Sequence, residues 1–365
     1  MLAVLSGGGT AGHINPAIAT AEELRARGVD VRFAGRPVGN EAEWVKAAGI
    51  PFTPFESAGF NRRHPTTFAK AMPIISKSTK KAQAWFQEIK PDVVVGFGGY
   101  VAIPVGRAAV KQGIPLVVHE QNSVMGLTNK YLSQHAKAVC LTYEHAASAV
   151  KDASKVILTG CPVRSSVFSM TRDEGRVQLD IPDDARMLLV TGGSLGAKHL
   201  NEALCAMKER LLGYEDLIII HVTGPKNYDD TKARLALTDE EAKRWRVVGY
   251  TNEMPACMAA TDMIVSRAGA SSLAEISAMG IPALLVPFPY ATADHQTTNA
   301  RAYVEAGCAH MIADDKVETP EFCELVCELV ENANLRASMT AAARARKTAN
   351  AAKALADVIM EVSRQ

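Results

Sequence analysis

One local plan occurs twice in this chain. A short apolar strand runs into a glycine turn and then a helix at residues 2–13, LAVLSGGGTAGH, and again at residues 187–197, MLLVTGGSLGA. A second plan is also repeated. VVVGFGGY from Val93 leads through a helix to Gly113-Ile114-Pro115 and a further strand, and MIVSRAGASS from Met263 leads likewise to Gly280-Ile281-Pro282. A strand that ends in glycine and feeds a helix is the opening of a parallel βαβ crossover. Two copies in one chain of 365 residues read as two similar Rossmann-like domains with parallel sheets, facing each other across a cleft.

The rest of the chain keeps this α/β rhythm. Apolar runs at Leu2–Leu5, Val31–Ala34, Val93–Val95, Leu116–Val118, Met187–Val190, Leu217–Val222, Val247–Val248, Met263–Val265 and Ala283–Val286 alternate with helical periodicity. In the first helix Ile14, Ala17, Ile18, Ala21 and Leu24 share a face, with Asn15 as cap and Pro16 at the first helical position. It ends near Gly28. Cys161-Pro162-Val163-Arg164 is the linker, so the first domain is expected over residues 1–162 and the second over 163–342. The chain is helical after Pro320, and its last helix, about residues 343–365, carries Leu355, Val358 and Ile359. It is expected to cross back onto the first domain.

Composition removes several function classes. A 48% apolar, 22% charged chain is not disordered, and 40 Lys+Arg against 39 Asp+Glu leave no global field for nucleic acid. Seven cysteines without a CxxC pair read as free cytosolic thiols, and Cys323 and Cys327 as one helix face rather than metal ligands. The Leu2–Leu5 run passes straight into a glycine turn, unlike a signal peptide, and no window approaches the roughly 18 apolar residues of a membrane span. A cytoplasmic chain with at most peripheral membrane contact is expected.

Gly7, Gly9 and Gly12 satisfy the GxGxxG dinucleotide pattern. However, the second strand ends in Gly35-Arg36 without the acid that would take the ribose of NAD. Asp30 lies at its wrong end, and Arg36 alone would fit NADP. The recurrence of the unit favours two phosphate-bearing ligands instead, each met by backbone N–H groups at a helix start. The bland alternative is that the glycines only permit tight turns.

The blocks GGGTAGHINPA, GFGGYVAIP, HEQNSVMGLTNK, GCPVR, TGGSLGAKHLN, SRAGASSLAEI and DHQTTNA closely resemble, in order and spacing, the MurG family of peptidoglycan glycosyltransferases (glycosyltransferase family 28). The resemblance runs from about Leu2 to about Asp314. It implies a GT-B fold and an inverting transfer of N-acetylglucosamine from UDP-GlcNAc to the C4 hydroxyl of the muramoyl sugar of lipid I, which gives lipid II. UDP-GlcNAc is then a substrate, and no cofactor is implied. The implied partners are lipid I, the anionic inner-leaflet surface of the bacterial cell membrane, and other cell-wall synthesis proteins. Nucleic acid is not among them, and the implied location is peripheral, on the cytoplasmic membrane face. The family loop usually reads GGGTGGH; Ala11 stands in place of one glycine, and its methyl would strain a positive φ.

By the same resemblance, Glu275 accepts from both ribose hydroxyls. The alternative is a capping box, Ser272-Leu273-Ala274-Glu275, that closes its own helix. Ala270, Ser271, Ser272, Leu273 and Ala274 would line that site, and Thr251 would meet uracil through its main chain. Ser194 and the N–H groups around Gly193 and Leu195 are placed to hold the UDP diphosphate, with the Arg164 guanidinium beside it. No Asp-x-Asp motif occurs, which fits a site without metal. Gln296 and Asn299 resemble residues that read sugar hydroxyls, and Asn122 a further sugar contact.

In the first domain the loop Gly8, Gly9, Thr10, Ala11, Gly12 is expected to cradle the acceptor diphosphate or face the donor sugar. Gly98, Gly99 and Tyr100 join it on the acceptor side. His13 is the candidate general base, with Glu120 or His119 as alternatives; orienting phosphate or capping the turn is its other reading. From Phe60 to Phe86, Arg62, Arg63, Lys70, Lys77, Lys80 and Lys81 mix with Phe60, Phe68, Met72, Ile74, Ile75 and Trp85, without an acid. That mixture suits an anionic membrane surface. A solvated basic face over core residues would give the same pattern. Three rivals remain open: a GT-B enzyme with another lipid acceptor, such as diacylglycerol, a non-catalytic nucleotide-sugar binding subunit, and an NAD(P) oxidoreductase.

Overall fold

The structure, a computed structural model, describes residues 1–38, 41–59, 65–193, 195–346 and 350–364, with the backbone alone at residues 65, 66, 68 and 69. It divides into two compact units, Met1–Arg164 with Ala349–Gln365, and Ser165–Thr348.

The first unit is a parallel sheet of seven strands: β1 Leu2–Ser6, β2 Asp30–Gly35, β3 Phe52–Pro54, β4 Val93–Gly96, β5 Leu116–Glu120, β6 Ala138–Leu141 and β7 Val156–Leu158. Their order is β3-β2-β1-β4-β5-β6-β7. β1 pairs with β2 on one side and β4 on the other, with Leu5 opposite Phe33 and Val95. The order reverses at β1, so the connections after β1 and β4 leave toward opposite faces and open a crevice at the carboxyl ends of these strands.

Helices cover both faces, which explains why the central strands are apolar throughout rather than alternating. The helix Ala11–Ala26 buries Ile14, Ala17, Ile18, Ala21 and Leu24 on one side. The C-terminal helix Ala351–Val362 joins the same cluster, burying Leu355, Ala356, Ile359 and Val362. Burial of each large aliphatic side chain stabilises by about 1.5–3 kcal/mol, so the end of the chain is an integral part of the first core. Arg27 also reaches Asp357 at 2.5 Å. On the opposite face lie Phe86, Val101, Val105 and Leu132.

The first helix starts earlier than the sequence suggests. It opens at Ala11, with Thr10 as N-cap and Pro16 inside it, where the Asn15-Pro16 pair was expected to mark the start. His13 therefore lies in the first helical turn, its N–H donating to Thr10 O at 3.1 Å. Ala11 is helical and is not among the residues with positive φ, so its methyl carries no strain.

The second unit repeats the design with six parallel strands: β8 Arg186–Thr191, β9 Leu217–Val222, β10 Trp245–Val248, β11 Met263–Ser266, β12 Ala283–Leu285 and β13 Ala309–Met311. The order is β10-β9-β8-β11-β12-β13, and β8 takes the place that β1 has in the first unit. Its core gathers Leu188, Val190, Leu204, Trp245, Val265 and Phe322. Strands β3, β6, β7 and β13 were not anticipated. Each has three or four residues.

Candidate functional site

In the first unit the chain leaves β1 at Ser6 and turns through Gly7–Thr10, with Gly9 at φ +92°. Both ends of the Gly8–Gly9 peptide are engaged. The Gly8 carbonyl lies 2.9 Å from His13 Nδ1, and the Gly9 N–H donates to a carboxylate oxygen of Glu41. A carbonyl only accepts, so Nδ1 carries the proton in the neutral ring and Nε2 holds the lone pair. Thr10 Oγ1 is 3.2 Å from the same Nδ1. The other Glu41 oxygen accepts from Arg36 N–H at 2.9 Å.

Gly98 and Gly99, at φ +99° and +76°, close over this turn. A Cβ on Gly98 would lie 2.9 Å from His13 Cδ2 and 3.0 Å from its Nε2, and one on Gly99 would collide with the Gly8 carbonyl. The two glycine turns, expected to cradle a phosphate, pack on each other. The Gly9 N–H is already donated to a carboxylate, whose charge would repel a second anion. The same contact removes the donor that a dinucleotide pyrophosphate needs at this loop. Tyr100 follows at the surface, 38% exposed.

Glu120 and His119 are displaced as candidate bases by their surroundings. Glu120, at the end of β5, is 2% exposed. One oxygen accepts from Asn122 N at 3.0 Å and Asn122 Nδ2 at 3.2 Å, the other from Gly126 N at 3.0 Å and Asn129 Nδ2 at 2.8 Å. A carboxylate filled by four donors braces the loop after β5 and is poorly placed to take a proton from a hydroxyl. His119 is fully buried between Gly160 O and Gln121 Nε2, and burial pushes its pKa down to about 4. His13 is half-buried in the first turn of the helix that follows β1, with Nε2 packed against Gly98.

In the second unit β8 ends at Thr191, whose hydroxyl accepts from Gly193 N at 3.2 Å, while Gly196 N donates to Gly193 O at 2.9 Å. Leu195 is 82% exposed at the tip, and Ser194 lies outside the described residues. The following helix, Lys198–Ala206, starts without a side-chain cap and without an acid in its first turn.

The helix Ala270–Met279 has Gly269 as N-cap, three residues ahead of Ser272, so the Ser272–Glu275 capping box does not form. Glu275, Ser271 and Ser272 are half-buried on that helix. Ala270, Leu273 and Ala274 are buried, backbone and side chain alike. Gln296 Oε1 accepts from Ala268 N at 3.1 Å and Phe288 N at 2.9 Å, so its amide nitrogen is the end left to meet a sugar. Asn299 is fully buried, with Nδ2 donating to Ala268 O at 3.3 Å. The Thr251 hydroxyl accepts from Glu253 N at 2.9 Å, which leaves its main chain for a base. Arg164 ends the first unit half-buried; its Nε is buried with no hydrogen-bond partner among the described residues.

The sequence reading missed two groups. Glu41 is one. The other is a cluster at the strand ends of the second unit, where Asp314 joins His199 Nδ1 at 2.9 Å and Arg267 at 2.5 Å. Arg267 also donates to Val286 O and Pro287 O, both at 3.2 Å, and so ties the ends of β11 and β12 together. The hydrogen bond to Asp314 raises the His199 pKa above its usual value, against partial burial. A separate open depression of about 780 Å³, lined by Arg210, Cys323, Cys327 and Glu331, holds none of the expected site residues.

Residues 3–141 match the family described as glycosyltransferase family 28 N-terminal domain, and residues 187–357 match the glycosyltransferase family 28 C-terminal domain. The UDP-N-acetylglucosamine--N-acetylmuramyl-(pentapeptide) pyrophosphoryl-undecaprenol N-acetylglucosamine transferase of Desulforudis audaxviator is 36% identical over 368 residues, covering 100% of this chain and 99% of that protein. The protein of the same name from Leuconostoc mesenteroides is 40% identical over 348 residues, 94% of each chain. The crystal structure of Acinetobacter baumannii MurG superimposes with a TM-score of 0.76 at 32% identity, covering 99% of both chains.

Proposed function

The chain belongs to glycosyltransferase family 28, and from that premise we propose that it transfers N-acetylglucosamine from UDP-GlcNAc to the C4 hydroxyl of the muramoyl sugar of lipid I, giving lipid II and UDP. The observation that carries this reading is that similarity to named transferases of this reaction extends over the whole chain and includes both family domains.

The chemistry is a single displacement. The acceptor hydroxyl attacks the anomeric carbon as UDP leaves, so the configuration inverts. His13 Nε2 takes the hydroxyl proton, and Thr10, Ala11 and Gly12 present the start of the first helix to the sugars. Asn122, braced by Glu120, adds a sugar contact in the first unit. The Leu195 N–H and the start of the helix Lys198–Ala206 in the second unit receive the diphosphate, and the guanidinium of Arg164, the last residue of the first unit, supplies counter-charge. Glu275 accepts from the ribose hydroxyls, the Thr251 main chain meets uracil, and the Gln296 amide nitrogen donates to the donor sugar. UDP-GlcNAc is consumed as a substrate, and the residues named carry the reaction without a cofactor.

The acceptor is lipid-linked, so the enzyme works at a membrane, on its cytoplasmic face and peripherally. Among the described residues no helix is long and apolar enough to cross one. The helix Pro65–Ile89 presents Lys70, Lys77, Lys80 and Lys81 on its exposed side, with Met72 and Ile74 half-buried beside them, and this supports contact with anionic lipid. Ile75 and Phe86 are buried in the core, and Phe60, Arg62, Arg63 and the Phe68 side chain lie outside the described residues.

A panel of donors and acceptors followed by UDP release tests the reading. Release is expected only with UDP-GlcNAc and lipid I together. Equal release with a diacylglycerol acceptor, or none with lipid I, would refute it.

A further inference from the structure

The geometry points to Glu41 as a positioning residue for His13, acting through the single peptide bond that joins Gly8 to Gly9. This rests on the reading of His13 as the base.

Glu41 opens the helix Glu41–Ala47. It turns inward, 5% exposed, and meets two backbone donors from elsewhere in the chain, Gly9 N–H and Arg36 N–H. Its oxygens pack so closely on Gly8 that a Cβ there would lie 2.8 Å from one and 3.0 Å from the other. A buried carboxylate is costly unless its lone pairs are met, so the arrangement is specific and stiff.

The peptide that donates to Glu41 is the same one whose carbonyl accepts from His13 Nδ1 at 2.9 Å. The carboxylate fixes the plane of this peptide and, by drawing on its N–H, makes its carbonyl a stronger acceptor. That carbonyl in turn holds the proton on Nδ1 and keeps Nε2 as the lone-pair nitrogen. A carboxylate does the same for histidine directly in hydrolase triads; here a peptide group stands between the two. Gly98 and Gly99 keep the ring and the peptide in place, since any side chain at either position would push into them. No new bond or proton transfer is required of Glu41.

Glu41→Gln keeps the size but removes the charge, and its amide nitrogen would face the Arg36 N–H, donor against donor. The variant is expected to lose about 10- to 100-fold in kcat, the order seen for other partners that orient a reacting ligand, with KM for UDP-GlcNAc within about twofold. In a His13→Ala background Glu41→Gln should change kcat by less than about twofold, because the residue it serves is gone. Losses that multiply in the double variant would overturn the relay while leaving His13 as base. A His13→Ala enzyme of near-normal turnover would instead overturn the base reading itself. An unchanged kcat with a lower KM for lipid I would mean that Glu41 competes with an acceptor anion, and would also overturn the proposal. Nitrogen-15 spectra of histidine-labelled wild-type protein need no variant. They should show His13 as the Nδ1–H tautomer at neutral pH, and the Nε2–H tautomer would contradict the relay.

Discussion

The two glycine turns begin alike and are finished differently. Both leave the central strand of a parallel sheet at the point where strand order reverses, and both lead to helices without a side-chain cap. In the first unit the turn is built around a carboxylate and an imidazole, Glu41 on the Gly9 N–H and His13 on the Gly8 carbonyl. In the second, the corresponding groups are neutral: the Thr191 hydroxyl takes the Gly193 N–H, and the Gly196 N–H folds back on the Gly193 carbonyl. One backbone plan is therefore completed by two different sets of partners. A turn that already holds an anion suits proton transfer, and a turn of neutral partners at a helix start suits a diphosphate.

The largest effect that tests this difference is on turnover. His13→Ala should lower kcat by about 10² to 10⁴, as loss of a general base does. A loss below tenfold would leave the first turn without its assigned role.

Next comes the packing of the turns. Gly99→Ala would drive a methyl into the Gly8 carbonyl from a φ of +76°, whereas a Cβ on Gly193, at φ +81°, meets nothing within 4 Å. Gly99→Ala is expected to cost about 2–4 kcal/mol in denaturant unfolding. Gly193→Ala should cost about 1 kcal/mol, the strain of a positive φ alone. Equal losses would show that the two turns are equally constrained.

The donor side is probed by Glu275→Ala. Loss of a charged acceptor for the ribose hydroxyls, about 1.5–3 kcal/mol, should raise KM for UDP-GlcNAc by about 10- to 150-fold with a smaller change in kcat. A change confined to kcat would detach Glu275 from the donor.

The smallest effect is the pH dependence of stability. Asp314 raises the His199 pKa above 6.5, so the protonated ring stabilises the second unit below that value, and the contribution is lost as pH rises through the raised pKa. The difference in melting temperature between wild type and His199→Gln should therefore shrink as the solution is made alkaline. His119 and His221 act in the opposite sense. Burial lowers them to about 4 and about 3, so their contribution is complete above 6.5 and is lost as pH falls toward those values. His119 lies in the first unit and His221 in the second, and both units are expected to weaken in acid.

Much of this architecture was legible in the sequence because it is written in local, repeated signals. Strand–glycine–helix units, apolar runs and the amphipathic last helix all depend on neighbouring residues. Features set by distant contacts were not legible. Glu41 lies 32 residues from the glycine whose N–H it accepts, and its only local trace is an acid shortly after a second strand that lacks one at its end. The Asn15-Pro16 pair mimicked a helix start because proline is tolerated near one, and Ser272–Glu275 mimicked a capping box inside a helix already begun. Glu120 and His119 looked reactive by type; the four donors around Glu120 and the full burial of His119 are supplied only by tertiary packing.

The division of labour between the two turns is tested most directly by titrating UDP, without acceptor, onto wild type, His13→Ala and Glu275→Ala in a calorimeter. Wild-type affinity in His13→Ala and an affinity at least tenfold weaker in Glu275→Ala are predicted. Loss of UDP binding in His13→Ala, or its retention in Glu275→Ala, would contradict the assignment.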